Sequence, residues 1–247
     1  MQATYDRIGV DYSDLRRPDP RIAQRILDAI GPASTVLNVG AGTGSYEPAG
    51  KQVTAIEPSA EMIRQRSATA APAIQGRAEN LPFADGIFDA SMAILTVHHW
   101  EDQAKGLQEM RRVTRGPVVV LTFDPAHRGC WLTDYLPQLI ALDEAQMPPL
   151  SDYPKWLGPV EISSVPIPQD CTDGFLYAYW RRPEAYLDPQ IRQGSSSFWT
   201  LENVEQGLAN LAQDLESGVW RKRYSHLLDL DELDAGYRLV VSHGAAR

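Results

Sequence analysis

The chain has 247 residues, 43% of them apolar and 22% charged, a balance that can bury a sizeable core and excludes an unfolded polyelectrolyte. Its 32 acidic residues outnumber 23 basic ones, for a net charge of −9, which argues against a nucleic-acid partner because such affinity comes largely from cations neutralising phosphates. Two cysteines are too few for a zinc cage or a disulfide framework, and no apolar run approaches the roughly 18 residues of a membrane span.

Residues 5–17, YDRIGVDYSDLRR, form a polar, aromatic and basic lead-in; the amino terminus MQATYDRIGVDYSD has neither a basic leader nor a greasy stretch, so the chain is expected in the cytoplasm, away from membranes. Asp19 is placed to cap a helix whose Ile22, Ile26, Leu27 and Ile30 share one face, and Gly31-Pro32 stops it. Strand-like runs then alternate with helical patterns. Val36–Val39 is a first strand, Val53–Ile56 a second, Ala73–Gln75 a short third, Phe88–Leu95 a fourth and Pro117–Phe123 a fifth. Ser59 caps a helix between the second and third. Ala104, Leu107, Met110 and Val113 mark another between the fourth and fifth. Half of the 18 prolines and five of the six tryptophans fall after Gly129, so the character of the chain changes there. A helix is expected over Trp131–Ala145, a strand over Val160–Ile167, and an aromatic insertion over Tyr177–Trp199. A helix carrying Val204, Leu208, Leu211 and Leu215 follows, and Tyr237–Val241 is a final strand. Strands separated by helices predict right-handed crossovers and an α/β fold: a doubly wound, mostly parallel seven-stranded Rossmann-like sheet with an aromatic lid insertion.

The most informative segment is VLNVGAGTGSYEPAG, residues 36–50. A strand runs into Gly40-Ala41-Gly42-Thr43-Gly44, where missing β-carbons let the backbone turn sharply and approach a ligand. A second strand ends at Glu57, placed to accept the two hydroxyls of a ribose at the carboxyl edge of the sheet. Loop and acid together predict a nucleoside ligand. A dinucleotide site would want a glycine where Ser45 stands, and a full helix facing the pyrophosphate; Pro48 and Gly50 forbid that helix. A ligand without phosphates fits better.

The segments VLNVGAGTG, VTAIEPSAEM, RAENLPFADGIFDA and ILTVHHW resemble, in order, the motifs of class I S-adenosylmethionine-dependent methyltransferases, from Thr35 to about Phe123; RYSHLLDLDELDAGYRLVVSH is similar to small-molecule members of that superfamily. The resemblance implies S-adenosyl-L-methionine as cofactor. It implies that Asn38, Gly40, Ala41, Gly42 and Gly44 lie under its methionine part, with Leu95 at the end of the fourth strand. Glu57 and Pro58 would hold the ribose, and Met62, Ala78, Glu79 and Leu81 would surround the adenine. The sequence departs from the family in two places: many members carry an acid where Asn38 and Arg77 stand. One domain over residues 1–247 is expected. It would comprise a cap segment over 1–20, a cofactor-binding half over 21–125, a helix, sixth strand and substrate lid over 126–200, and a last helix and strand over 201–247.

Methyl transfer from a sulfonium is an in-line displacement, accelerated chiefly by holding nucleophile and methyl together. His98 and His99 follow the fourth strand, where one could deprotonate an acceptor; Tyr12 joins them as a catalytic candidate. Both histidines could equally serve loop backbone. Arg16 is a candidate clamp for an acceptor carboxylate, and Asp124, Tyr179, Trp180 and Trp199 are further substrate candidates. Asp124 and His127 together are too few to predict a metal site, and none is expected. The insertion, with six large rings beside Gly194-Ser195-Ser196-Ser197, is expected to close over the acceptor, or else to cover a sheet edge. The reading is methyl transfer to a small organic acceptor at oxygen, nitrogen or carbon. Methylation of RNA or protein, a non-enzymatic S-adenosylmethionine binder and an NAD-dependent oxidoreductase are the alternatives. The sequence names neither the acceptor nor the oligomeric state.

Overall fold

The computed structural model describes residues 15–244 of the chain. Seven strands form one sheet in the order β3-β2-β1-β4-β5-β9-β6: β1 (Thr35–Val39), β2 (Gln52–Glu57), β3 (Ala73–Gln75), β4 (Ala90–Ile94), β5 (Val118–Phe123), β6 (Glu161–Ser164) and β9 (Tyr237–Ser242). The first five run parallel, and β9 runs antiparallel between β5 and β6. Helices cover both faces, which is why β5, VVVLTF, is apolar along nearly its whole length and buried throughout. Its side chains alternate between two cores. Val118 and Val120 join Leu37, Val39, Leu107, Met110 and Val113 on one face, whereas Val119 and Leu121 join Ile22, Ile26, Ile30 and Met92 on the other.

The predicted helix signals correspond to physical caps. Asp19 accepts the Arg21 amide at 2.9 Å to start α1 (Pro20–Ile30), and Ser59 accepts the Met62 amide at 3.2 Å to start α2 (Ala60–Arg64). Helix α3 (Gln103–Val113) buries Leu107, Met110 and Val113 as its spacing predicts.

Downstream of β5 three expectations are corrected. The helix expected over Trp131–Ala145 is two helices, α4 (Leu132–Tyr135) and α5 (Gln138–Gln146), because Pro137 forces Leu136 to φ −127°, ψ 68°, outside the helical region. After α6 (Tyr153–Leu157), the strand expected over Val160–Ile167 divides at Pro166: β6 stays in the large sheet, and β7 (Ile167–Pro168) pairs with β8 (Glu232–Leu233) in a separate two-stranded ribbon. Finally, half of the six rings of the predicted lid are core. Tyr177, Trp180 and Tyr186 are buried in the cluster around Trp131, Phe123 and Tyr237. Their polar tips are satisfied inside it, Trp180 Nε1 donating to the Ile167 carbonyl at 2.9 Å and the Tyr186 hydroxyl to that of Leu176 at 2.7 Å. Only the later part, α7 (Pro189–Arg192) and α8 (Ser196–Thr200), is lightly anchored. The chain then forms α9 (Glu205–Glu216) and α10 (Val219–Arg223) before β8.

Candidate active site

At the carboxyl end of β1 the backbone enters the left-handed region at Gly40 (φ 68°), Gly42 (φ 52°) and Gly44 (φ 99°). The three glycines serve different ends. A β-carbon on Gly40 would lie 2.1 Å from the Thr96 hydroxyl, so only glycine lets β1 and β4 close there. One on Gly44 would press on Ala70, behind the loop, so Gly44 sits away from the ligand side rather than under the methionine part. One on Gly42 would meet nothing, because that position opens into a cavity. The loop is tied to β2 by Ile56, whose carbonyl accepts the Gly40 and Ala41 amides at 2.9 and 3.0 Å. Glu57 completes the tie: its two oxygens accept the Gly42 and Ser59 amides, each at 2.8 Å.

A second network braces the loop from behind, and the sequence did not reveal it. The Arg66 guanidinium donates to the Gly42 carbonyl at 2.9 Å and pairs with Glu47. Glu47 in turn accepts the Ala71 amide at 2.8 Å and the Asn38 side-chain nitrogen at 3.2 Å. With that nitrogen committed, the Asn38 amide oxygen is the end left for the cavity that Asn38 lines. A carboxylate thus stands one hydrogen bond behind Asn38.

The cavity measures about 340 Å³ and lies across the carboxyl ends of β1, β2 and β4. Asn38, Gly40, Ala41, Gly42, Glu57, Pro58, Met62, Ala78, Glu79 and Leu95 line it, together with Tyr46, Thr96 and Trp100, which the sequence reading passed over. Tyr46 (φ 63°) and Leu95 (φ 51°) adopt the left-handed conformation without being glycine, a strain found where structure is held for function. Glu79 spends one oxygen on the Glu101 and Asp102 amides at 2.9 and 3.2 Å, which fixes the loop after β4. Arg77, standing where an acid was expected, pairs with Glu101 at 2.6 Å at the cavity's edge. Leu81 does not line the cavity; it packs in the core beneath, its amide held by Glu109 at 3.1 Å.

A second, smaller cavity of about 40 Å³ adjoins the first, and Arg16, Leu95 and His99 line both. Its other walls are His98, Phe123, Phe175, Leu176, Tyr177, Tyr237, Met147, Asp143 and the Ser195–Ser197 stretch. The rings of His98 and His99 lie against each other with centroids 3.9 Å apart, tilted by 48°. The surrounding protein, and secondarily the Arg16 charge, hold His99 down to about 4; His98 is pushed well below its usual value by burial, then by His99 and Arg16. Both are neutral imidazoles at pH 7. Arg16 is not a free clamp: Asp173, 157 residues away, accepts from it at 2.6 and 3.3 Å, and the Tyr46 hydroxyl donates to the same carboxylate at 2.8 Å.

The remaining substrate candidates lie elsewhere. Asp124 caps the turn after β5 by accepting the Ala126 amide at 3.0 Å. Trp180 is in the core, Tyr179 packs on Tyr186 beneath Arg182, and Trp199 on α8 lines neither cavity. Tyr12, with Tyr5 of the lead-in, lies outside the described residues.

S-adenosylmethionine fits the larger cavity. Gly42 leaves open the space a side chain would fill, and Glu57 presents a carboxylate on the cavity wall. Met62 and Ala78 form an apolar slot, and Asn38 presents a polar atom at the loop. The model of the family described as a methyltransferase domain matches residues 37–120. The chain is 34% identical over 140 residues to the demethylmenaquinone methyltransferase of Mycolicibacterium vanbaalenii, a match spanning 54% of this chain and 61% of that protein. Geranyl diphosphate C-methyltransferase of Streptomyces coelicolor, 16% identical, shares the fold over 91% of this chain and 77% of that one with a TM-score of 0.53. A putative methyltransferase from an antibiotic biosynthesis pathway of Anabaena variabilis superposes with a TM-score of 0.86 at 37% identity, over 92% of this chain. Since that match takes in 98% of the Anabaena protein, the chain belongs to the class I S-adenosylmethionine-dependent methyltransferases, and S-adenosylmethionine is its cofactor.

Proposed function

We propose that this protein methylates a small organic acceptor with an apolar body, bound in the second cavity. The observation that carries the reading is the continuity of the two cavities through Arg16, Leu95 and His99, with the smaller one walled by Phe123, Phe175, Tyr177 and Tyr237. Aromatic walls suit a compact apolar molecule and leave no track for a polymer. Relatives named for demethylmenaquinone and for an antibiotic pathway support a small acceptor, as does the net charge of −9.

When bound, S-adenosylmethionine supplies a methyl carbon that accepts the acceptor's electron pair as its bond to sulfur breaks. The chain's own part is positioning. The Glu57-tied loop fixes the cofactor end, and the strained Leu95 closes the far side. His99 stands at the junction as a neutral hydrogen-bond acceptor; held at about 4 it is a weak base, which suits an acceptor whose own proton is readily lost. Residues 21–125 supply nearly all of the cofactor cavity and residues 126–200 most of the acceptor wall. About 40 Å³ admits only a few water-sized groups, so the acceptor enters by displacing a wall. The Ser195–Ser197 stretch, which lines the small cavity and carries no ring, is that wall in this reading.

Transfer of radiolabelled methyl from S-adenosylmethionine to a panel of phenols, hydroquinones and aryl amines, alongside total RNA and denatured protein, tests the proposal. Label is expected in a small-molecule fraction. Label confined to RNA or polypeptide overturns it.

A further inference from the structure

The middle cavity has two distinct ends. Towards the cofactor it is bounded by Arg16, Leu95 and His99; at the other end Phe123, Asp143 and Tyr177 separate it from a third, very small cavity that they also line. Asp143, on α5, is only 4% exposed. One of its oxygens accepts the Tyr177 hydroxyl at 2.9 Å, and among the described residues it has no ion pair. The cation whose charge reaches it, Arg128, is itself paired with Glu144. Around the carboxyl stand aromatic rings, Phe123 with its centroid 5.2 Å from Tyr177 and 5.5 Å from Tyr237. A buried acid facing a cavity, half-satisfied and ringed by π faces, is a costly arrangement for a core but a suitable receptor for an organic cation.

We propose that the acceptor carries a basic nitrogen, protonated in solution, which Asp143 and the surrounding rings receive at the end of the pocket remote from the cofactor. The inference rests on the acceptor reading above and narrows it to amine-bearing molecules. It also says which atom is not methylated. An ammonium has no lone pair, so the nitrogen held by Asp143 is a handle, and the reacting atom is a second nucleophile on the same molecule, at the Arg16–Leu95–His99 end. Burial raises the Asp143 carboxyl to about 6, so it is mostly ionised at pH 7.5 and a cation there stabilises the charge further.

Tyramine and 4-ethylphenol share a ring and differ by the ammonium, which makes them the probes. Calorimetry on wild-type protein saturated with S-adenosylhomocysteine at pH 7.5 is expected to show tyramine binding at least tenfold tighter. In Asp143→Asn the two are expected to agree within about twofold, with S-adenosylhomocysteine affinity unchanged because Asp143 does not line the cofactor cavity. Equal affinities in the wild type, a preference that survives Asp143→Asn, or failure of both probes to bind overturns the inference. If Asp143→Asn loses cofactor binding, Asp143→Glu replaces it as the test. Moving the charge by one methylene must then alter the preference at least threefold, and an unaltered preference overturns the inference. Failure of wild-type protein to bind S-adenosylhomocysteine is a separate result and strikes the methyltransferase reading itself.

Discussion

Glu57 and Asp143 are two buried carboxylates with opposite accounts. Glu57 holds two backbone amides at 2.8 Å and is part of the scaffold as well as the site. Glu57→Ala is expected to weaken S-adenosylhomocysteine binding by roughly 1.5–3 kcal/mol, the range for a hydrogen bond to a charged group, as read by calorimetry. A change within error would move the ribose elsewhere. Asp143 instead destabilises the fold. Its carboxyl titrates at about 6 in the folded chain, against about 3.9 in an unfolded one, so the folded state holds its proton more tightly. The group costs nothing below about pH 4; stability falls as pH rises from there through 6, and above 6 the cost is about 3 kcal/mol at most. Asp143→Asn keeps an acceptor for Tyr177. It is expected to resist denaturant better than wild type at pH 7.5 and to lose that advantage at pH 4. Equal midpoints at both values would mean that the carboxyl is better solvated than its surroundings indicate.

Among the elements, legibility followed locality. The five parallel strands are apolar runs of strand length between helical patterns, and the glycine loop and its acid lie within about twenty residues of each other, so both could be read from the chain. Contacts between distant segments left no spacing to read. Arg16 meets Asp173 across 157 positions and Tyr46 meets it across 127, and the Glu47–Arg66 brace lies in a stretch whose motif drew attention to its glycines. Proline mattered more than periodicity after β5: Pro137 broke a helix, and Pro166 turned one strand into two in different sheets. The insertion is only half legible, because three of its six rings, Tyr177, Trp180 and Tyr186, fill the core. Deleting Tyr179–Ser197 is therefore expected to abolish cooperative unfolding monitored by far-ultraviolet circular dichroism. It removes Trp180 and Tyr186, each worth ~1.5–3 kcal/mol of burial, and the partner of the Trp131 indole, from a total stability of roughly 5–15 kcal/mol. A folded deletion variant that binds cofactor but transfers nothing would restore the lid as first read.

For the whole molecule, cofactor binding is tied to global folding, because the cavity is assembled from the ends of three adjacent strands of the sheet. S-adenosylhomocysteine at a hundredfold its dissociation constant is expected to stabilise the native state by about 2.7 kcal/mol, read as a shifted denaturation midpoint. A midpoint that does not move would mean that the unfolded chain binds equally well or that the cavity is not the site.

The placement of β9 between β5 and β6 has a consequence in time. Residues 118–123 emerge from the ribosome long before residues 237–242, which must lie beside them. At about 5–20 residues per second that interval is on the order of ten seconds, during which VVVLTF offers an unpaired apolar edge to any other nascent chain. Soluble yield in this protein is then a matter of delay. Chains stopped after Asp234 are expected in the insoluble fraction, and finding them soluble would mean that β6 covers that edge alone.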